Sequence, residues 1–177
     1  MNNRIFIRLI FCLALILCGC SKDVPMSSEL TQGEQGSVLG KPGATQISGT
    51  GFFAGAGECT ALPPDALFAL TMTGDLEGCL YVFVDFSECS PSGTYREQGR
   101  DLFVGQYNGR SGTFRTTYGF EAKYEDCPNL LGEVFGRCQH PIVAGSGTGD
   151  FVGVSGRIDL KDDVVAVEFP YRGHLKF

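Results

Sequence analysis

The chain has 177 residues, with 14 Lys and Arg against 20 Asp and Glu and a formal net charge of −6. An acidic chain without a basic run is a poor binder of nucleic acid, because neutralising phosphates requires clustered Lys and Arg. The length is sufficient for one domain with a hydrophobic core.

The N-terminus has the charge and apolar pattern of an export signal. Two arginines precede an apolar run over residues 9–17, which is too short to cross a bilayer comfortably. Leu17-Cys18-Gly19-Cys20 follows and resembles the lipobox of bacterial lipoproteins. The resemblance implies cleavage after residue 19 and attachment of diacylglycerol to the thiol of Cys20, with acyl chains of the palmitate type. Residues 1–19 are therefore expected to be a lipoprotein signal peptide.

The lipid would anchor the mature protein to a membrane of the bacterial cell envelope, with the rest of the chain extracytoplasmic. Each buried methylene contributes about 0.8 kcal/mol, so two or three acyl chains suffice. Without the signal the basic residues fall from 14 to 12 against 20 acids, a net of −8. Anionic headgroups would repel this charge, so only the lipid is expected to contact the membrane.

Residues 20–50 are rich in Ser, Gly, Gln and Thr and have little apolar periodicity. Such a segment buries too little surface to offset its ordering entropy, which predicts a lipidated flexible tether. The folded domain is therefore expected to comprise residues 51–177.

From residue 51 onward the apolar pattern has a period of two rather than 3.6. Over residues 113–124, Phe114, Tyr118 and Ala122 share one face of an extended strand, and the opposite face is polar. Similar runs are predicted at 66–73, 80–86, 93–98, 102–107, 134–143, 156–160 and 165–177. Strands this close together predict an all-β domain, a single antiparallel β-barrel of about eight strands, with a β-sandwich as the alternative.

A glycine-rich motif favours the barrel. Gly147-Thr148-Gly149-Asp150-Phe151-Val152-Gly153-Val154-Ser155-Gly156 resembles the Gly-Thr-Gly-x-Phe-x-Gly-x-x-Gly turn of dirigent and allene oxide cyclase-like β-barrels. Its glycines can supply positive φ, and Phe151 is free to plug the end of a barrel. The resemblance implies, as an alternative function, a cyclase or isomerase in which the barrel shapes a reactive substrate.

Five cysteines follow Cys20, and an exported domain meets an oxidising compartment. A strand over residues 80–86 would separate Cys79 from Cys89 by more than about 20 Å, whereas a disulfide needs Cα atoms within about 7 Å. A hairpin with the preceding strand would bring Cys89 near Cys59, so Cys59–Cys89 is the favoured disulfide. The second disulfide is open between Cys127–Cys138 and Cys79–Cys127.

The Cys138-x-His140 pair has no Cys-x-x-Cys partner, so neither a metal site nor a cofactor is predicted. Both histidines lie near an arginine. The arginines could hold a carboxylate or enolate, and a histidine or Glu121 could move a proton. The alternative is that the arginines pair with acids on neighbouring strands and the histidines are half-exposed. The candidate ligand-binding residues are Arg137, His140, Tyr171, Arg172, His174 and Glu121.

No Gly-x-Ser-x-Gly elbow or recognisable Ser/His/Asp set is present, and no catalytic residue is assigned. The sequence therefore predicts a membrane-anchored lipoprotein whose barrel is a non-catalytic binding module for a small apolar ligand or an envelope protein. The alternatives are the cyclase or isomerase and a structural envelope component. A cavity of several hundred Å³ lined by Phe and Tyr, with Arg or His at its floor, would favour ligand binding or catalysis. A barrel filled by its own side chains would favour the structural role.

Overall fold

The computed structural model describes residues 43–177. The predicted signal peptide, the lipidation site Cys20 and most of the predicted tether lie outside the described residues. The described strands are β1 (Thr45–Phe53), β2 (Phe68–Gly74), β3 (Leu76–Cys89), β4 (Thr94–Tyr107), β5 (Arg110–Asp126), β6 (Leu131–Pro141), β7 (Thr148–Gly149), β8 (Ser155–Lys161) and β9 (Phe169–Lys176), with a short 3-10 helix at Cys127–Asn129. In this part of the chain, no helix is long and apolar enough to cross a membrane.

Eight of the strands close into an antiparallel barrel, in the order β1, β2, β3, β4, β5, β6, β8, β9. Pairing of β9 with β1 completes the circle and places Gly49 opposite Tyr171. The two-residue strand β7 pairs with the start of β5 as an addition to the barrel. The predicted single barrel is confirmed, and the sandwich is not the fold. Closure pairs the edges that an open sheet would leave exposed.

The barrel begins earlier than the sequence predicts. Strand β1 starts at Thr45, six residues before the expected start at residue 51, so residues 45–50 belong to the barrel and not to the tether. Most of these residues are small and polar, so they give no alternating apolar signal. Ile47 alone is buried, with 3% of its surface exposed. Antiparallel ladders on both sides, to β2 and β9, hold the segment in the sheet.

Other strand boundaries also differ from the prediction. Strand β3 covers Leu76–Cys89 rather than 80–86, and β6 covers Leu131–Pro141 rather than 134–143. Strand β4 joins the runs predicted at 93–98 and 102–107, because the polar residues between them continue the ladder and Asp101 points inward. The strand predicted from residue 165 begins only at Phe169. Val165 and Val167 lie in a turn with 91% and 63% of their surface exposed.

The alternation in β5 is as predicted. Phe114, Thr116, Tyr118 and Ala122 are buried, whereas the arginine and threonine between them are exposed. Inward residues of the neighbouring strands meet this face, so the core lies inside the barrel.

Aromatic side chains fill one end of the barrel, which we call the closed end. The rings of Phe103 and Phe114 stack at 4.8 Å, and Phe151 packs edge-on against both at 6.0 and 5.4 Å. Phe151 is fully buried, which confirms its predicted role as a plug. The turn around it uses positive φ at Gly149 (58°) and Gly153 (84°), as expected.

The disulfides are Cys59–Cys79 and Cys89–Cys127, with Cα separations of 5.6 and 5.9 Å. Cys79 and Cys89 are not joined, as predicted. The favoured Cys59–Cys89 pair is wrong, as are both alternatives for the second disulfide, and Cys138 is a buried free thiol.

The error in pairing has a clear cause. The predicted hairpin exists, with Phe68 of β2 opposite Val82 of β3. However, the connection between β1 and β2 folds back over the outside of the hairpin, which brings Cys59 beside Thr71 and onto Cys79. Strand β3 continues for seven residues past Val82, the residue opposite the first residue of β2, and ends at Cys89. Cys89 there forms its disulfide with Cys127 in the helical turn after β5.

Candidate ligand-binding cavity

The end of the barrel opposite Phe151, which we call the open end, contains a cavity of about 720 Å³. This volume lies within the range of small-molecule binding sites. Apolar and aromatic side chains form most of the wall, and several carboxyl groups line it. The lining residues include Phe68, Leu70, Leu80, Val82, Tyr95, Tyr118, Phe120, Tyr124, Cys138, His140, Leu160 and Phe169.

The mouth of the cavity has an apolar rim. Leu67, Leu130 and Val167 line the cavity and have half or more of their surface exposed. An apolar molecule entering the barrel would meet apolar contacts before it reached the interior.

A hydrogen-bonded group of three residues lies at the floor of the cavity, and His140 is the member of the group that lines it. The Asp101 carboxylate, 1% exposed, accepts hydrogen bonds from the Thr116 hydroxyl at 2.5 Å and from His140 Nδ1 at 2.6 Å. Thr116 lies directly opposite Asp101 in the pairing of β4 with β5. The arrangement fixes a hydrogen on His140 Nδ1, because the carboxylate is an acceptor.

The other ring nitrogen of His140 is buried without a hydrogen-bond partner within residues 43–177. His140 is 5% exposed and lines the cavity, and its Nε2 has no hydrogen-bond partner among the described residues. The ring of Tyr118 stacks on it with centroids 5.5 Å apart. Gly99 makes room for this tyrosine, since a Cβ there would lie 2.6 Å from the Tyr118 ring. In the neutral ring, Nε2 is therefore a positioned acceptor.

Glu97 also lines the cavity, and its carboxylate accepts hydrogen bonds from two tyrosine hydroxyls. The hydroxyls of Tyr95 and Tyr118 donate to its two carboxylate oxygens at 2.6 and 2.7 Å. Burial, together with the hydrogen bond to Glu97, raises the pKa of both tyrosines, so both remain donors at neutral pH. This network stiffens one side of the cavity.

A pair of carboxyl groups lies near the mouth. The carboxyl groups of Asp162 and Glu133 both lie beside Gly136, and the Tyr124 hydroxyl donates to Glu133 Oε2 at 3.3 Å. Burial, and then the neighbouring carboxyl group of Glu133, raise the pKa of Asp162 to about 8. Gly136 provides the space, since a Cβ there would contact Asp162 and come within 2.5 Å of Glu133 Oε1.

Cys138, His140 and Asp101 have the composition of a nucleophilic triad but not its chemistry. No hydrogen bond joins the Cys138 thiol to His140 in the described structure. Burial, and then the charges of Asp101, Asp162 and Glu97, raise the pKa of the thiol. A nucleophilic cysteine requires the opposite shift, so Cys138 is a wall residue.

Of the six candidate residues from the sequence, only His140 lies in the cavity. Arg137 and Glu121 form an ion pair at 3.1 Å on the outer face, where 71% of the arginine side chain is exposed. Arg172 is exposed and His174 half-buried on the outer face of β9. The arginines therefore do not meet a histidine at one site. Pairing with acids on neighbouring strands, the other possibility that the sequence left open, holds for Arg137. His140 is buried rather than half-exposed.

Tyr171, the remaining candidate, lies at the closed end. Its hydroxyl accepts a hydrogen bond from the Leu76 amide at 2.8 Å and donates to the Thr73 carbonyl at 3.1 Å. Burial raises its pKa to about 12. This residue supports the barrel core.

The spacing of these residues along their strands already indicated which of them point into the barrel and which point outward. Arg137 and His140 are three positions apart on one strand, so their side chains must point to opposite faces. Arg172 and His174 share a face, but it is opposite to that of the buried Tyr171. The residues that sequence analysis missed are Glu97, Asp101, Tyr118, Glu133 and Asp162. Glu97 and Asp101 were detectable, because they alternate with Tyr95 and Phe103 on the inward face of β4.

No protein-family model matches this sequence, and no curated protein matches it significantly.

Proposed function

We propose that the barrel is a binding module for a small, predominantly apolar molecule, and that a lipid on Cys20 holds it at the bacterial cell envelope. The cavity of about 720 Å³ carries the proposal, since it is space at the open end of the barrel that side chains do not fill. A purely structural barrel gains stability by filling its interior with its own side chains.

The two disulfides support a location outside the cytoplasm, because disulfides persist in oxidising compartments. The lipobox motif supports the anchor. In this proposal the membrane is a partner only through the lipid, and the barrel presents its open end to the ligand.

Binding of the neutral apolar dye N-phenyl-1-naphthylamine to the full-length protein tests the proposal. Val82 is 5% exposed and lines the cavity, so Val82→Phe fills part of the volume and is expected to weaken binding about tenfold. Val104→Phe is the matched control, because Val104 lies on the outer face of β4. Absence of dye binding, or equal affinities for Val82→Phe and wild type, would contradict the proposal.

A second candidate function is an isomerase or cyclase with His140 as general base. The Asp101 hydrogen bond that holds the hydrogen on Nδ1 favours it, because Nε2 can then accept a proton from a bound substrate. The lining residues include no Lys or Arg to hold an enolate, which favours binding without reaction. Incubation with 2-octanone in D₂O tests the candidate, since a base at Nε2 would exchange hydrogens beside the carbonyl in wild type and not in His140→Gln.

A further inference from the structure

The ionisable side chains that line the cavity are mostly acidic. Five acids line it, and neither Lys nor Arg is among the lining residues. None of the ion pairs found within residues 43–177 involves these acids, which are Glu97, Glu133, Asp162, Asp163 and Glu168. Asp163 is exposed and the other four acids are partly buried. Partly buried carboxyl groups without a positive partner favour a ligand that supplies the positive charge.

Aromatic rings stand beside these acids. Tyr95 and Tyr124 pack edge to face with centroids 5.9 Å apart, and Tyr95 contacts Phe120 in the same way at 6.1 Å. All three residues line the cavity. Aromatic faces attract cations, and the attraction increases where water is excluded.

Two buried polar atoms of the lining residues have no hydrogen-bond partner within residues 43–177, namely Glu133 Oε1 near the mouth and His140 Nε2 at the floor. His140 is 95% buried, and its Nε2 has no partner among the described residues, although the ring is held at its other nitrogen by Asp101. A buried imidazole nitrogen without a partner is costly unless a ligand supplies one. Glu133 Oε1 and, in the neutral ring, His140 Nε2 are both acceptors, so a ligand group that partners either atom is a donor.

We infer that the ligand is an amphiphilic organic cation, a protonated amine with an apolar body. This inference rests on the proposed binding function and specifies its ligand. The ammonium group is placed among Glu133, Asp162 and the aromatic rings, and the apolar body occupies the remaining volume against Leu80 and Val82. A fatty acid or another apolar carboxylate is disfavoured, because its charge would add to that of the acids.

Binding of a cation also has a proton linkage. Asp162 faces Glu133 and Cys138 on β6 and Tyr124 on β5, and its carboxyl group holds a proton at neutral pH. An ammonium group beside it favours the ionised form, so cation binding is expected to release up to one proton at pH 7. A neutral ligand in the same cavity is expected to release none.

Calorimetric titration of the full-length protein with octylamine, 1-octanol and octanoate at pH 7 tests the inference, because the three probes share one apolar chain. Octylamine is expected to bind at least about tenfold more tightly than octanol, and octanoate more weakly than both. Repeating the octylamine titration in buffers of different ionisation enthalpy measures the released proton. Octyltrimethylammonium, which lacks N–H donors, is expected to bind more weakly than octylamine.

The double variant Glu133→Gln and Asp162→Asn assigns the preference to its residues. It is expected to lose the preference for octylamine while retaining octanol binding, which also shows that the barrel is folded. Asp65→Asn, at an exposed acid between β1 and β2, is the matched control and is expected to keep the preference.

The outcomes separate the inference from the proposed function. If octanol binds and octylamine binds no more tightly, the inference is overturned and the binding function stands. If none of the probes binds, both are overturned. If the double variant retains the tenfold preference, the assignment of the cation to these carboxyl groups is overturned.

Discussion

The Asp101 carboxylate and the His140 imidazole meet inside the barrel at 2.6 Å, although β5 separates their strands. The two residues are 39 positions apart in the chain. Thr116 of β5, the strand between them, donates to the same carboxylate oxygen. Three consecutive strands of the barrel therefore contribute to one buried polar group at the floor of the cavity.

This contact predicts energetic coupling between the two residues. Asp101→Asn and His140→Gln are each expected to lower the free energy of unfolding by roughly 1–3 kcal/mol, because each leaves a buried polar partner unsatisfied. The double variant is expected to lose less than the sum, as measured by denaturant titration. His174→Gln, on the outer face, is the control, and an equal loss there would contradict the assignment.

Asp162 predicts a particular dependence of stability on pH. Its folded-state pKa, about 8, lies above the ordinary value of 3.8, so the folded protein binds more protons than the unfolded chain between these values. The contribution of this carboxyl group to stability is therefore fully present below about pH 4 and is lost as the pH rises toward 8. Asp162→Asn is expected to flatten this part of the profile. Denaturant titrations across the window check this, with Asp65→Asn as a control that should leave the slope unchanged.

The disulfides predict different consequences on reduction. Their sequence separations are 20 and 38 residues, for which loop-closure entropy gives about 3–4 kcal/mol each. Replacing Cys89 and Cys127 with Ser is also expected to weaken dye binding, because this disulfide fixes the turn that carries Leu130 at the cavity mouth. Replacing Cys59 and Cys79 should affect stability alone.

Peptide mapping without reduction should find the Cys59–Cys79 and Cys89–Cys127 linkages, with Cys138 alkylated only after unfolding.

The turn around Phe151 predicts a costly glycine substitution. A Cβ at Gly149 would lie 2.6 Å from the Ser111 carbonyl oxygen and 3.1 Å from Gly112 Cα, and φ is 58°. Gly149→Val is therefore expected to lower the free energy of unfolding by roughly 1–3 kcal/mol. Gly109→Val is the matched control, since φ there is 76° but nothing lies within 4 Å of the added Cβ. Equal midpoints of denaturation for Gly149→Val and wild type would show that the turn relaxes freely.

The lipid anchor predicts the behaviour of Cys20→Ser. The variant is expected to incorporate no labelled fatty acid and to accumulate as an uncleaved precursor, because the thiol is the acceptor. Cys18→Ser is the matched control and should be processed normally. Labelling of Cys20→Ser would exclude Cys20 as the acceptor.

The sequence determined the fold class because strand alternation is a local property. The period of two across β5 gave its buried face, and the glycine-rich motif gave the plug residue Phe151. It also held enough information to separate Arg137 from His140, since parity along a strand fixes the face of each side chain. The start of β1 was missed because a run of small polar residues has no alternating signal.

Only the tertiary structure decided which residues on the same face of the barrel contact each other. Alternation does not specify how the strands are aligned around a closed barrel, and that alignment brings Asp101 to His140 and Glu133 to Asp162. The disulfides depended on a further non-local feature, the path of the β1–β2 connection outside the barrel, which carries Cys59 to Cys79. The cavity likewise depends on closure, because aromatic residues from distant parts of the chain fill one end and leave the other open.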